Sequence, residues 1–355
     1  MNEKEQRHSK DVKCLIWDLD DTLWHGTLSE NPQVILKPGI TEVLESLDHR
    51  GILLSIASKN NFDDCWRKLE ELRVAHYFLY PQISWNAKSA AVDIIGKKMN
   101  IGLDTIAFID DQPFEREEVG STHSEIQCID AGDYLNLLNY PRFNPRFVTE
   151  DSARRREMYQ QDIRRNEHEQ QFSGPKEAFL ATLNMVFQIS DAGEFDLQRA
   201  EELTVRTNQL NATGVTYSFE ELHFFSNSDK HDLLVCELTD KYGSYGKIGL
   251  ALVEKRVDAW QLRMMLMSCR VMSRGVGTVL LAYIMNEARR NGVKLRADFR
   301  MTDRNRMMYV TYKFCNFYEI SNDGTGNIVF ENELLQIPEY PDYIDLRINR
   351  NAIWK

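Results

Sequence analysis

Val12-Lys13-Cys14-Leu15-Ile16-Trp17-Asp18-Leu19-Asp20-Asp21-Thr22 begins as a run of strand formers and ends as a cluster of carboxylates. This reading places Asp18 and Asp20 at the C-terminal end of a buried strand, where an open α/β sheet does its chemistry. Like charges so close raise each other's pKa and need a cation or a proton to offset them. Mg²⁺ suits such a cluster because it takes oxygen ligands and bridges to phosphate. One carboxylate is then free to act as a nucleophile and its neighbour as a general acid/base. Taken alone, the stretch is equally a polar loop after a strand.

Working outward, three more signals follow in order. Leu53-Leu54-Ser55-Ile56-Ala57 reads as a second buried strand ending in Ser58-Lys59-Asn60, a hydroxyl and amide cluster suited to phosphate oxygens. Lys88 precedes a helix predicted over Ser89 to Met99 and supplies a point charge for a phosphoryl group. Thr105 to Ile109 is a third strand, running into Asp110-Asp111. An amphipathic helix is predicted over Ile40 to His49, stopped by Gly51. The gaps over residues 21–57 and 59–87 are too short for a folded cap domain besides their helix and strand. A site without a cap is open to a substrate carried on a macromolecule, unless another part of the chain closes it.

The four motifs together resemble the haloacid-dehalogenase superfamily of aspartate-nucleophile phosphotransferases. The resemblance implies a Rossmann-like α/β domain without a cap. It makes Asp18 the nucleophile and Asp20 the acid/base, with Ser58 and Lys88 holding the phosphoryl group. Mg²⁺ would be bound by Asp18, the backbone carbonyl of Asp20, Asp110 and Asp111. Asn60 joins the phosphate contacts, Thr22 fixes the turn, and Asp21 reads as structural.

The chain has 355 residues, enough for two domains, and 43% hydrophobic residues, enough for two cores. A net charge of −11 argues against a nucleic-acid binder. Six cysteines without a C-x-x-C pair argue for a reducing compartment and against structural zinc. No apolar run approaches membrane-spanning length, so the expected setting is cytoplasmic, with no membrane and no nucleic-acid partner.

Pro141 and Pro145 suggest a boundary that divides the chain into 1–150, a connecting helix over 151–175, and 176–355. The helix is rich in Arg, Glu and Gln, with a sparse stripe of Met158, Tyr159 and Ile163, and reads as mostly solvated. Further on, Arg274-Gly275-Val276-Gly277 leads into a helix predicted over Thr278 to Arg290, with Gly292 as its stop. Backbone N–H groups at such a helix start suit a phosphate or pyrophosphate. With the strand predicted over Lys294 to Phe299, this order resembles the coenzyme A-binding core of the GNAT acyltransferases, implying an α+β second domain. Val279 departs from that pattern, which prefers a small residue.

A more specific resemblance joins the halves. Ile109 to Glu117, Leu203 to Asn211, Asp240-Lys241-Tyr242-Gly243 and Ser268-Cys269-Arg270-Val271-Met272-Ser273-Arg274 look like successive motifs of the FkbH-like family. Ser273 and Gly277 depart from that family's usual Gly and acidic residue. The resemblance implies a glyceryltransferase/phosphatase that converts 1,3-bisphosphoglycerate into a glyceryl thioester on a phosphopantetheinylated acyl carrier protein, a building block for polyketide synthesis. Arg274, Gly275 and Gly277 would then form the phosphopantetheine groove, Cys269 would carry the glyceryl group, and Arg270 would favour its thiolate or bind a substrate phosphate. On residue type alone, Cys269 is also a small buried hydrophobe. His223 and His231 are candidate bases with nothing to choose between them. The competing functions are a Mg²⁺-dependent small-molecule phosphatase with a covering second domain, and a carrier-protein-binding module.

Overall fold

The computed structural model describes residues 10–207 and 209–350, and the chain forms two compact units, Met1–Gln160 and Gln161–Lys355. In chain order the strands of the first unit are β1 (Cys14–Trp17), β2 (Trp24–His25), β3 (Ile35–Leu36), β4 (Leu53–Ser58), β5 (Gln82–Ile83), β6 (Ile106–Asp110) and β7 (Gln127–Asp130). Five of them form a parallel sheet in the order β5-β4-β1-β6-β7, while β2 and β3 make a small antiparallel pair. β1 is the central strand of the sheet, and because successive side chains point to opposite faces, the burial of all four of its residues means that both faces are covered. That double burial explains the unbroken apolar run, which a half-exposed strand would break by alternation.

Helices α1 (Ile40–His49), α2 (Phe62–Glu71), α3 (Lys88–Met99) and α4 (Pro113–Thr122) alternate with the strands. Helix α1 buries Ile40, Val43, Leu44 and Leu47, the i, i+3, i+4, i+7 spacing of one helical face, and the chain leaves it through Gly51 at φ 71°. Between β1 and β4 stand only the β2–β3 pair and α1. Between β4 and α3 stand only α2, a short turn at Ala75–Tyr77 and β5. No cap domain is inserted, as the spacing predicts, and the unit is a Rossmann-like α/β fold.

Two helices follow, α5 (Glu150–Ala153) and α6 (Arg155–Gln171), and the division between the units falls inside α6. The expectation of a mostly solvated helix needs correction. Arg155, Met158, Tyr159 and Arg165 are all buried. In the first unit Arg155 donates to the carbonyl of Gly51, and Arg156 reaches both oxygens of Asp48. In the second, Arg165 is wholly buried against Asp240, Asp162 and the face of Tyr245. Charge density marks a solvated face only when no partner carboxylate folds over it.

The second unit contains α7 (Lys176–Ala181), β8 (Met185–Asp191), α8 (Leu197–Arg206), α9 (Phe219–Ser226), β9 (His231–Asp240), β10 (Gly243–Glu254) and β11 (Ala259–Met267). It continues with α10 (Val276–Arg290), β12 (Lys294–Arg300), α11 (Arg306–Phe314), β13 (Tyr318–Asn322), β14 (Asn327–Asn332) and β15 (Ile344–Asn349). Eight strands form one sheet in the order β13-β14-β12-β11-β10-β9-β8-β15. The pairs β11–β12 and β8–β15 are parallel and the others antiparallel. Alternation along β9 explains the two-sided core: Leu234, Cys236 and Leu238 face one cluster, while Leu233 and Val235 face the other with α8 and α9.

Strands β11 and β12 pair only from Ala259 to Leu262. Beyond that point the chain itself fills the gap. Ala212 donates to Met265, Met267 donates to Leu210, and Arg300 donates to Ala212, so Leu210–Ala212 lies between the diverging strands. This α+β arrangement, with α10 between the parallel pair, is GNAT-like. Helix α10 starts at Val276, so Gly277 is its second residue and not part of the preceding loop. Among the described residues no helix is long and apolar enough to cross a membrane.

Candidate active site

Strand order in the first sheet reverses at β1, which is flanked by β4 on one side and β6 on the other. Ligands of open α/β sheets bind in the crevice beyond the strand ends at that switch point. Asp18 follows β1, Ser58 ends β4, and Asp110 ends β6, so adjacent strands deliver three polar side chains to one place. All three are buried. Asp18 N–H donates to the carbonyl of Ile109, locking the β1 exit against β6.

Lys88, the first residue of α3, completes the group. Its ammonium lies 2.9 Å from Asp18 Oδ1 and 2.5 Å from Asp110 Oδ2, with all three side chains nearly inaccessible. Burial, opposed by Lys88 and reinforced by Asp110, pushes Asp18 up to about 7. Asp110 also stands above the ordinary carboxylate range, raised by burial against the pull of Lys88. For Lys88, burial works against the charged form, but the two carboxylates outweigh it and hold the ammonium above its usual value. A single lysine therefore does not neutralise the carboxylates. Oxygens of Asp18, Asp110 and Asp111 lie within 4.8 Å of one another, an all-oxygen donor set that fits Mg²⁺.

Asp20 is held differently. Its Oδ1 accepts from the Trp24 indole at 2.8 Å and from Leu28 N–H at 3.0 Å, and its Oδ2 accepts from Asn60 Nδ2 at 2.9 Å. Its carboxylate is not one of the metal-compatible trio, and the sequence reading assigns the ion only its backbone carbonyl. Asn60 is thereby drawn onto Asp20. Lys59 pairs with Glu115 at 2.8 Å. Asp21, at φ 49°, accepts from Gly26 N–H and serves the turn.

Two supports hold these loops: Thr22, expected to fix its own turn, and Arg116, to which the sequence assigned no role. Thr22 Oγ1 accepts from Asp111 N–H at 3.0 Å, tying the β1 loop to the β6 loop. Arg116 Nη1 donates to the carbonyls of both Asp110 and Asp111 at 2.8 Å, while its Nη2 reaches Asp130. Arg116 lies within the Ile109 to Glu117 stretch, one helical turn after Gln112. That spacing was the only local signal that it returns to the strand end.

In the second unit, Cys269 and Arg270 occupy a short turn, Cys269–Val271, directly after β11. Cys269 is partly exposed, and Arg270 Nη2 donates to the carbonyl of Tyr245. Arg274 is 3% exposed, and its guanidinium faces Glu169 and the ring of Phe179, so it is turned into the unit and away from solvent. Gly275, at φ 81°, precedes α10, and a Cβ there would meet the Tyr343 hydroxyl at 2.9 Å. Val279 is buried in the core. His223 is on α9, whereas His231 begins β9 and contacts Ser228 Oγ.

No family model and no curated protein matches the chain. Solved structures do. The N-terminal part of BF1531 from Bacteroides fragilis, described as containing a phosphatase domain complexed with Mg, is 30% identical over 38% of this chain, with a TM-score of 0.34. The chain spans 41% of that structure's length. The ribosomal-protein-S18-alanine N-acetyltransferase of Escherichia coli matches 41% of this chain and 90% of its own at 17% identity, TM-score 0.32. The GNAT domain of S. lividans PAT matches 41% of this chain and 88% of its own at 16% identity, TM-score 0.33.

Proposed function

We propose that this chain is a bifunctional enzyme: a Mg²⁺-dependent phosphatase in its first unit and an acyltransferase in its second. The observation that carries the reading is the buried Lys88 ammonium between Asp18 and Asp110 at the switch point of the sheet. Phosphoryl transfer needs positioning and charge stabilisation more than covalent chemistry from the protein. Asp18 is the nucleophile, Ser58 and Lys88 orient the phosphoryl oxygens, and Asp20 moves the proton. Mg²⁺, held by Asp18, Asp110 and Asp111, supplies charge neutralisation for the transferring group.

For the second unit we propose 1,3-bisphosphoglycerate as acyl donor and a phosphopantetheinylated acyl carrier protein as acceptor, yielding a glyceryl thioester for polyketide synthesis. An acyl phosphate is an activated donor. Attack by the Cys269 thiolate at C1 would break the bond to the 1-phosphate, which leaves as inorganic phosphate, and give a 3-phosphoglyceryl-enzyme thioester; hydrolysis of its 3-phosphate by the phosphatase activity would leave the glyceryl thioester that the carrier thiol collects by nearly thermoneutral exchange. Cys269 stands at a strand exit and partly open to solvent, which suits a nucleophile better than a packing residue.

The test is intact-mass analysis of enzyme and carrier after incubation with Mg²⁺ and 1,3-bisphosphoglycerate. The enzyme alone should gain one glyceryl group, labile to hydroxylamine. Cys269→Ala should keep phosphate release and leave the carrier unloaded. Loading of the carrier at the wild-type rate by Cys269→Ala would remove Cys269 from the pathway. A carrier without its arm should bind far more weakly than the modified form.

A further inference from the structure

The two oxygens of Asp20 are not equivalent. Oδ1 accepts two N–H donors, from a fully buried Trp24 and from the backbone of Leu28, and both belong to the segment that forms the β2–β3 hairpin and its loop. Two donors fill the lone pairs of a carboxylate oxygen. Oδ2 accepts one donor, Asn60 Nδ2, and keeps one lone pair. The orientation of the Asn60 amide follows from its own partners: its Oδ1 accepts from Asn61 N–H at 3.0 Å, which turns its NH₂ toward Asp20. Asn60 is 5% exposed and lies in the short loop that leads from β4 into α2.

The geometry points to Asn60 as a positioning residue that makes Oδ2 the proton-carrying oxygen of Asp20 and aims its free lone pair. This rests on the proposed aspartate-nucleophile reading and adds a residue to it. In the first step Asp18 forms a bond to phosphorus, and the bond to the leaving oxygen breaks. The leaving oxygen takes the electron pair and the proton from Asp20 Oδ2. In the second step Oδ2 takes a proton from water as that water's oxygen attacks phosphorus, releasing inorganic phosphate and the Asp18 carboxylate. Oδ1 takes part in neither transfer because the hairpin occupies it. Asn60 donates to Asp20, and its other hydrogen bond goes to the backbone N–H of Asn61, so its effect on the reacting groups is transmitted through the Asp20 carboxylate.

The dependence on leaving group separates this role from a packing role. A nitrophenolate leaves without a proton, whereas an alkoxide requires one. The full-length Mg²⁺-loaded enzyme is assayed for kcat/KM with nitrophenyl phosphate and with an alkyl phosphate such as glycerol 3-phosphate. Asn60→Asp keeps the shape and the acceptor for Asn61 N–H but removes the donor to Asp20. It should lower kcat/KM for the alkyl phosphate about 10- to 100-fold and leave the nitrophenyl ester within about threefold. Should Asn60→Asp not fold, Asn60→Ala in the same pair of assays gives the same contrast. Equal losses with both substrates, or none with either, overturn the assignment. Asp18→Asn serves as the control for the underlying reading: activity surviving there removes the nucleophile itself, whereas an inactive Asp18→Asn beside equal losses in Asn60→Asp removes only the role of Asn60.

Discussion

Lys88 Nζ stands 2.9 Å from Asp18 Oδ1, although the two residues come from the start of α3 and the end of β1. The contact joins the candidate nucleophile to a cation where both are nearly dry. In that setting a lone carboxylate is costly, and removing one member of a buried pair costs more than the pair contributes.

Lys88→Ala should therefore destabilise the metal-free chain by about 3–5 kcal/mol, because Asp18 and Asp110 are left facing each other. Saturating Mg²⁺ should restore much of that loss, since it offsets the same two charges. Urea unfolding with and without Mg²⁺ measures both. A Lys88→Ala protein as stable as wild type in EDTA would show that the carboxylates are relieved in another way.

Asp18→Asn should retain the fold and lower phosphate release by about three orders of magnitude or more, the loss expected when a covalent nucleophile is removed. Circular dichroism checks the fold, and phosphate release under saturating substrate checks the rate. Near wild-type release by Asp18→Asn would falsify the aspartyl-phosphate step.

The pH response of the metal-free chain follows from the raised Asp18. Burial pushes it up to about 7, above an unfolded value of about 3.9. The folded chain thus holds that proton more tightly than the unfolded one. The resulting stabilisation is complete below about pH 4 and disappears as pH rises through about 7. Mg²⁺ competes for the same oxygen, so its upward shift of Tm should grow between about pH 6 and pH 8. A Mg²⁺-induced shift that is flat over that range would contradict the assignment of Asp18 as a ligand.

Arg116 grips the carbonyls of Asp110 and Asp111, which fixes where their carboxylates can point. Arg116→Ala should weaken Mg²⁺ activation about 10- to 100-fold, the usual effect of removing an outer support of a metal ligand. Raising Mg²⁺ should recover the maximal rate. Titration of activity against Mg²⁺ shows whether the loss lies in affinity or in turnover.

In the second unit, Arg165 and Asp240 form a two-pronged pair with both side chains fully buried. Arg165→Met should cost about 3–5 kcal/mol because Asp240 is left charged and unpaired, whereas replacing both residues by apolar ones should recover most of it. The double-mutant cycle by chemical denaturation tests this. A loss in the double variant equal to the sum of the two single losses would mean that the pair is not coupled.

Much of the phosphatase half was legible from order along the chain. Each of Asp18, Ser58, Lys88 and Asp110 stands at a strand end or helix start, and those ends are marked locally by apolar runs and by the helical periodicity of the segments between them. The partners were not. Trp24 and Asn60 meet at Asp20 from opposite sides of α1 in sequence, and nothing in either neighbourhood announces the meeting. Arg165 looked solvated because its helix is dense in charge, and only Asp240, 75 residues away, makes it a buried residue.

The sequence by itself determined the strand-end placement of the carboxylates, the uncapped spacing, the helix at Ile40–His49 and the helix from Ser89 to Met99, which the structure starts one residue earlier at Lys88, because each depends on residues near one another in the chain. Tertiary structure alone decided which oxygen of Asp20 is open, where Arg274 points, and that Leu210–Ala212 fills the space between β11 and β12. Those outcomes depend on distant backbone and side-chain groups satisfying one another's hydrogen bonds once water is excluded. That requirement acts only after the chain has folded.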